Sequence, residues 1–120
     1  MTEQNERQEQ QRRAELSDAV KFTERLRSSD EVGWTGIRQR LEAEGVSPDD
    51  AAVATLFPDD TNLLYGVILT RDDRCFWFTF EYSATEPWEL LEWGSVSSKL
   101  RRAYEKDLPY ARTIMDGDTG

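Results

Sequence analysis

Apolar residues in the first part of the chain recur every three or four positions, which predicts two amphipathic helices. The first begins near Arg13 and ends near Ser28. The second carries Trp34 in its apolar stripe and ends at Gly45, a residue suited to the left-handed conformation that follows many helices. Residues 1–12 are polar except for Met1 and have no apolar face, so they form either a solvated extension of the first helix or a disordered arm.

A third, shorter helix is predicted from the run between Ser47 and Asp50. Serine is a favoured N-cap, Pro48 suits the first helical position, and the two acidic residues after it stand where the helix dipole favours negative charge. We expect this helix to continue to about Leu56 and to end before Pro58.

Two apolar runs with a short turn between them predict a β-hairpin over residues 63–82. With Thr70 opposite Cys75, one face collects four aromatic side chains and the other face collects Trp77. Burying four such side chains contributes roughly 6–12 kcal/mol before opposing effects, at about 1.5–3 kcal/mol each. We therefore expect the four-aromatic face to be core. Its members are Phe76, Phe78, Phe80 and Tyr82.

The remaining residues complete an α+β fold in which N-terminal helices pack on a small antiparallel sheet and a helix follows it. A lone hairpin is marginally stable, so we interpret residues 88–93 as a third strand, although they also fit a short helix locally. Ser97 or Ser98 then caps a last helix, which ends before Pro109. Residues 13–110 form a single domain in this interpretation, and residues 111–120 form a flexible tail.

The lack of histidine and the presence of one cysteine, Cys75, remove most catalytic chemistry. Zinc sites built from Cys and His, and nucleophiles activated by His, need residues that this chain does not contain. No apolar run reaches the roughly 18–20 residues of a membrane span, and the N-terminus has no signal-peptide pattern. We expect a cytoplasmic protein with no cofactor and no membrane contact.

The net charge of −9 is concentrated in the middle of the chain. Residues 46–92 contain ten acidic and two basic residues, whereas residues 93–120 contain four acidic and five basic residues. An acidic surface disfavours contact with nucleic acid and favours a basic partner or a cation. The sequence therefore predicts no nucleic-acid binding, and it predicts a partner protein with a basic surface.

Three pairs of adjacent aspartates are candidates for a metal site or for catalytic carboxylates. Helix starts and turns favour aspartate, so a structural role explains these pairs better. The basic residues between Lys99 and Lys106 are interpreted as a helix-end charge bias or as partners for the acidic hairpin, because they are too few for nucleic-acid binding. The aspartate pairs are Asp49/Asp50, Asp59/Asp60 and Asp72/Asp73.

The tryptophans after the core face of the hairpin are the stronger candidates for a binding surface. Trp77 points away from that core face, and the next two tryptophans bracket two glutamates. Aromatic side chains beside carboxylates suit a basic protein surface, and tryptophan is enriched where binding energy concentrates. The predicted partner-binding residues are Trp77, Trp88, Trp93, Glu89, Glu92, Asp59 and Asp60.

These observations favour a small acidic, non-enzymatic module that binds a basic protein. In size, charge and fold class the chain is generally similar to small bacterial immunity and inhibitor proteins, without a residue motif in common. A second hypothesis is a carboxylate-based metal-binding domain or hydrolase. A third is a structural subunit of a larger assembly, docked through its polar N-terminal helix.

Overall fold

A computed structural model describes residues 3–58, 63–81 and 89–117, with side chains from residue 6 onward. It confirms the α+β class, with helices before and after an antiparallel sheet, and the sheet has four strands where three were predicted. The helices and strands in chain order are α1 (Glu3–Ser28), α2 (Val32–Ala43), a 3₁₀ turn (Pro48–Asp50), β1 (Ala51–Pro58), β2 (Leu63–Thr70), β3 (Cys75–Glu81), β4 (Glu89–Ser95), α3 (Ser98–Ala103) and α4 (Leu108–Gly117).

The sheet has the strand order β1-β2-β3-β4, with each strand antiparallel to its neighbour, so β1 and β4 are its edges. Residues of α1 and α2 bury one face, which we call the first face, and there Trp34 meets Phe80 edge-to-face at 4.9 Å. On the opposite, second face, Leu69 packs with Ala111 and Met115 of α4. The sheet is thus a middle layer between helices.

The predicted third helix is wrong, because only its first turn is helical. The Ser47 hydroxyl accepts a hydrogen bond from the Asp49 backbone N–H, but the turn ends at Asp50 and β1 follows. The first four residues of β1 are buried, since helices cover both faces of the sheet at this point. A strand buried on both faces has a continuous apolar sequence, which resembles a buried helix.

The predicted hairpin register is wrong by one residue. Leu69, not Thr70, lies opposite Cys75, because Thr70 takes part in the turn: its backbone N–H donates to the Arg74 carbonyl at 2.8 Å. The predicted core face is nevertheless confirmed for Phe76, Phe78 and Phe80, all at most 2% exposed. Their β2 neighbours on that face are Ile68, Gly66 and Leu64, and Tyr82 lies outside the described residues.

The C-terminal part differs most from the prediction. Ser97 caps α3 as expected, with its hydroxyl accepting a hydrogen bond from the Leu100 N–H at 3.1 Å. However, Pro109 does not lie beyond the last helix: it stands in the first turn of α4, where a missing N–H is tolerated. Residues 111–117, assigned by the sequence to a flexible tail, belong to α4, and Met115 is buried against the sheet.

Of the two interpretations of residues 1–12, the structure has the helical one from Glu3 onward. The side chains of residues 6–15 are exposed, so this half of α1 adds little to the core. Among the described residues, no helix is both long enough and apolar enough to cross a bilayer.

Candidate functional site

Aromatic side chains occupy the end of the second face that lies beyond α4. Phe57 of β1 is 5.6 Å from Tyr65 of β2 between ring centroids, and Tyr65 is 5.9 Å from Trp77 of β3 with the two planes within 5°. Tyr104, the residue after α3, stacks on Tyr65 at 6.4 Å. We call these four residues the aromatic row. Phe57 is 38% exposed, and the other three side chains are half-buried.

The strand register produces this row. Phe57 lies directly opposite Tyr65, and directly opposite residues of paired strands share a face. Trp77 lies opposite Gly94 of β4, and its indole lies over that glycine: a Cβ there would be 2.7 Å from the indole Nε1. Glycine at this position therefore lets the indole rest on the backbone of β4.

Three exposed glutamates of β3 and β4 lie beside the aromatic row. Glu81 and Glu89 are directly opposite each other, and Glu92 is opposite Thr79. We call the three glutamates the acidic edge. No ion pair between described residues involves them. Like charges directly opposite each other in an antiparallel pair repel, so the acidic edge is locally unfavourable until a cation approaches.

The surface also contains hydroxyl groups, one between the aromatic row and the acidic edge and two within the aromatic row. Thr79 follows Tyr65 and precedes Glu92 across the strands, and its buried hydroxyl has no hydrogen-bond partner within the described parts of the chain. Burial raises the pKa of Tyr65, and a hydrogen bond to Tyr104 lowers it in part. Burial also raises the pKa of Tyr104 to about 12, so both phenols are neutral at pH 7.

The predicted binding residues do not all meet on one surface. Trp77 and Glu92 lie on the second face, and Glu89 lies at the start of β4 on the same side of the sheet. Trp93 is on the first face, where it stacks on Phe76 with ring centroids 5.0 Å apart. Asp59, Asp60 and Trp88 lie outside the described residues.

Sequence reasoning misses three members of the aromatic row. Phe57 was expected at the end of a helix, and the one-residue register error turned Tyr65 toward the core face. Tyr104 has no sequence signal, because the turn between α3 and α4 positions it. The continuous apolar run of residues 51–57 was the signal that could have placed Phe57 on a strand.

Basic residues gather at the opposite end of the sheet, around the β2–β3 turn. Asp73, in the left-handed region at φ 68°, accepts hydrogen bonds from Arg101 at 2.5 Å and from Arg112 at 2.8 Å. The predicted pairing between the basic patch and the acidic hairpin is therefore present for Arg101. Two further ion pairs at this end are Arg71–Asp50 and Arg74–Asp72. These arginines neutralise their own end and leave the acidic edge uncompensated.

The aromatic row and the acidic edge present aromatic rings, carboxylates and neutral hydroxyls, which are groups suited to binding another molecule. Burial raises the pKa of the Cys75 thiol, and the Arg101 charge only partly opposes this, so the thiol stays neutral and unreactive. In the parts of the chain that the structure describes, no cluster of three or more Cys, Asp or Glu side chains is placed to hold a metal ion.

In comparisons with known proteins, no family model matches the chain, and no curated protein or solved structure is similar to it.

Proposed function

We propose that this protein is a non-enzymatic binding module that recognises a basic surface of another protein through the aromatic row and the acidic edge. The observation that carries the proposal is the direct opposition of Glu81 and Glu89 beside the partly exposed aromatic row. A basic partner would relieve this repulsion and would bury the rings at the same time.

Glu81 and Glu89 would contribute differently to the free energy of the free protein and of the bound protein. A like-charge pair opposite each other costs about 0.2–1 kcal/mol, and the exposure of Glu81 and Glu89 places them at the low end of that range. Positive side chains of a partner would turn this repulsion into attraction, and a chain of net charge −9 would also accelerate the encounter. Tryptophan and tyrosine then supply rigid contact area, as in many interface centres.

The partner class follows from the charge and from the absence of a reactive group in the described surface. An inhibitor or immunity-type role in the cytoplasm, directed at a basic enzyme such as a nuclease toxin, would use such a surface. The metal-binding or hydrolase alternative has no supporting cluster among the described residues. The subunit alternative has only the exposed, wholly polar first half of α1, which offers no apolar docking stripe.

The experiment is affinity capture from native extract with three versions of the chain. The first is wild type, the second is E81Q/E89Q/E92Q, and the third is E6Q/E9Q/E24Q, which makes the same charge change on the exposed surface of α1. We expect wild type and the α1 variant to capture the same basic protein and the acidic-edge variant to lose it.

The stability of the same variants separates binding from folding. The acidic-edge variant should unfold at an equal or slightly higher urea concentration than wild type, because it removes the repulsion between Glu81 and Glu89. Undiminished capture by this folded variant would refute the proposal.

A further inference from the structure

A groove runs along the outer edge of β1 between α1 and α4. Its volume is about 230 Å³, below the roughly 300–1,000 Å³ of typical small-molecule sites, so it suits a single side chain. The lining mixes apolar and polar groups in similar proportion, and Phe57 joins the groove to the aromatic row. The residues that line it are Glu15, Asp18, Ala19, Phe22, Ala54, Thr55, Leu56, Phe57, Asp107 and Tyr110.

The β1 side of the groove lies where the pairing of β1 with β2 is irregular. Further toward the start of β1, the Thr23 hydroxyl of α1 accepts a hydrogen bond from the Val53 backbone N–H at 2.9 Å, which ties helix and strand together. After Val53 the pairing of β1 with β2 shifts by one residue at Ala54. The residues at and after this irregularity, from Ala54 to Phe57, line the groove together with residues of α1 and α4.

The charged lining of the groove is entirely acidic. The Tyr110 hydroxyl donates to Glu15 at 2.7 Å, whereas Asp18 and Asp107 have no ion pair or side-chain hydrogen bond with any described residue. Cations lie around the groove: Arg12 and Lys106 line the neighbouring cleft, which shares Glu15 and Tyr110 with the groove, and Arg25 lies over the Phe22 ring at 6.0 Å.

The electrostatic environment of the groove favours the binding of a cation. Burial, and then the charge of Glu15, raise the pKa of the Asp107 carboxyl, and the charge of Lys106 only partly opposes them. A carboxylate whose pKa rises on folding is less well compensated than in water, so a positive group placed beside it would be stabilised.

We propose that this groove receives one arginine side chain of the basic partner. This inference rests on the proposed function, since the arginine would belong to the protein that covers the aromatic row. A guanidinium group is planar, stacks on rings such as Phe57 and Tyr110, and donates two hydrogen bonds to a carboxylate such as Asp18 or Asp107. A lysine ammonium would also pair with the carboxylates, but it is not planar and would not stack on the rings.

The test uses N-acetyl-arginine methylamide as the probe, with backbone amide NMR signals of the full chain as the readout. The matched neutral probe is the citrulline derivative, which replaces the guanidinium with a urea of similar shape. We expect the arginine probe to shift the signals of Ala19, Ala54 and Thr55 and to bind about tenfold more tightly than the citrulline derivative.

Variants with the same charge change locate the effect. D18N/D107N should weaken arginine binding about tenfold, whereas E6Q/E9Q, which makes the same charge change on the exposed start of α1, should leave it unchanged. D18N alone, on α1, should weaken it severalfold and guards against a disturbance of the start of α4. Equal binding of the citrulline or lysine derivative, or unchanged signals of Ala19, Ala54 and Thr55, would overturn the proposal.

The result is independent of partner capture, because the probe is a single amino-acid derivative. Arginine binding in the groove without any capture through the acidic edge would contradict the proposed function but would support the arginine site. Capture through the acidic edge without arginine binding in the groove would support the proposed function and would refute the arginine site.

Discussion

The same added methyl group should have three different effects at three glycines, because each faces a different neighbour. At Gly66, on the first face, a Cβ would lie 2.6 and 2.7 Å from the two Cε atoms of Phe78 and closer still to its Cζ. At Gly94, on the second face, it would lie 2.7–2.9 Å from three atoms of Trp77. At Gly36 of α2 the nearest atoms are 3.4 Å away, which is ordinary contact.

The magnitudes follow from how far each neighbour can move. Carbon atoms in contact prefer about 3.5–4.0 Å, so the ring of Phe78 would have to shift by more than about 1 Å, although it is fully buried. We expect G66A to destabilise the fold by about 2–3 kcal/mol, the upper part of the range for overpacked cores. The half-buried indole of Trp77 can swing toward solvent, so G94A should cost only about 0.5–1 kcal/mol, mainly in lost stacking on Tyr65.

Urea unfolding followed by far-ultraviolet circular dichroism measures these differences, and tryptophan emission reports the movement of Trp77. G36A is the control, and it should be neutral or stabilise by up to about 1 kcal/mol, because alanine is the better helix former. G94A should also shift the emission to longer wavelength, and a W77F background should abolish that shift. If G94A costs as much as G66A, or leaves the emission unchanged, the inference that Trp77 is a movable surface group is refuted.

Three further predictions concern the phenols, the thiol and the β2–β3 turn. Because the pKa values of Tyr104 and Tyr110 rise from 10.0 to about 12 on folding, their neutral forms favour the folded state below pH 10. This contribution disappears between about pH 10 and 12, so Y104F should show a smaller fall in urea midpoint across that range than wild type. Cys75 is buried and its pKa is raised, so Ellman's reagent should modify it at least about 100-fold more slowly in the native protein than in urea. D73A should lower the free energy of unfolding by about 1–2 kcal/mol, because it removes two arginine contacts and strains a left-handed backbone, whereas D73N should cost less; equal losses would contradict the backbone part of this argument.

The parts of the fold that were predictable are those that local chemistry determines. Trp34 on a helical stripe, Gly45 at φ 78° after α2, and the Ser97 cap all follow from residues within one turn of each other. β1 was not predictable in this way, because its residues, alanine-rich and apolar, are strand only when β2 pairs with them. Pro109 has the same ambiguity, since proline both ends helices and begins them.

The candidate site was harder to predict, because a one-residue change in register moves every side chain of a strand to the other face. The Thr70 side chain bonds to Asp72, and its backbone closes the turn with Arg74, so the turn is one residue longer on the β2 side than the alternation of apolar residues indicates. That change took Tyr65 from the expected core face to the exposed end of the second face. Trp93 shows that residues adjacent in sequence need not share a surface. It follows Glu92, but the alternation of side chains along β4 places it on the first face.

The acidic edge has a second explanation that must be weighed against binding. An exposed edge strand invites pairing with another chain, and both the charges on β4 and the irregular pairing at Leu91 protect such an edge. Protection accounts for Glu89 and Glu92, which are on the edge strand. It does not account for Glu81, because β3 is an inner strand that pairs on both sides, with β2 and with β4. There a carboxylate opposite Glu89 adds repulsion without shielding any backbone group, whereas the basic partner that we propose would interact favourably with all three glutamates.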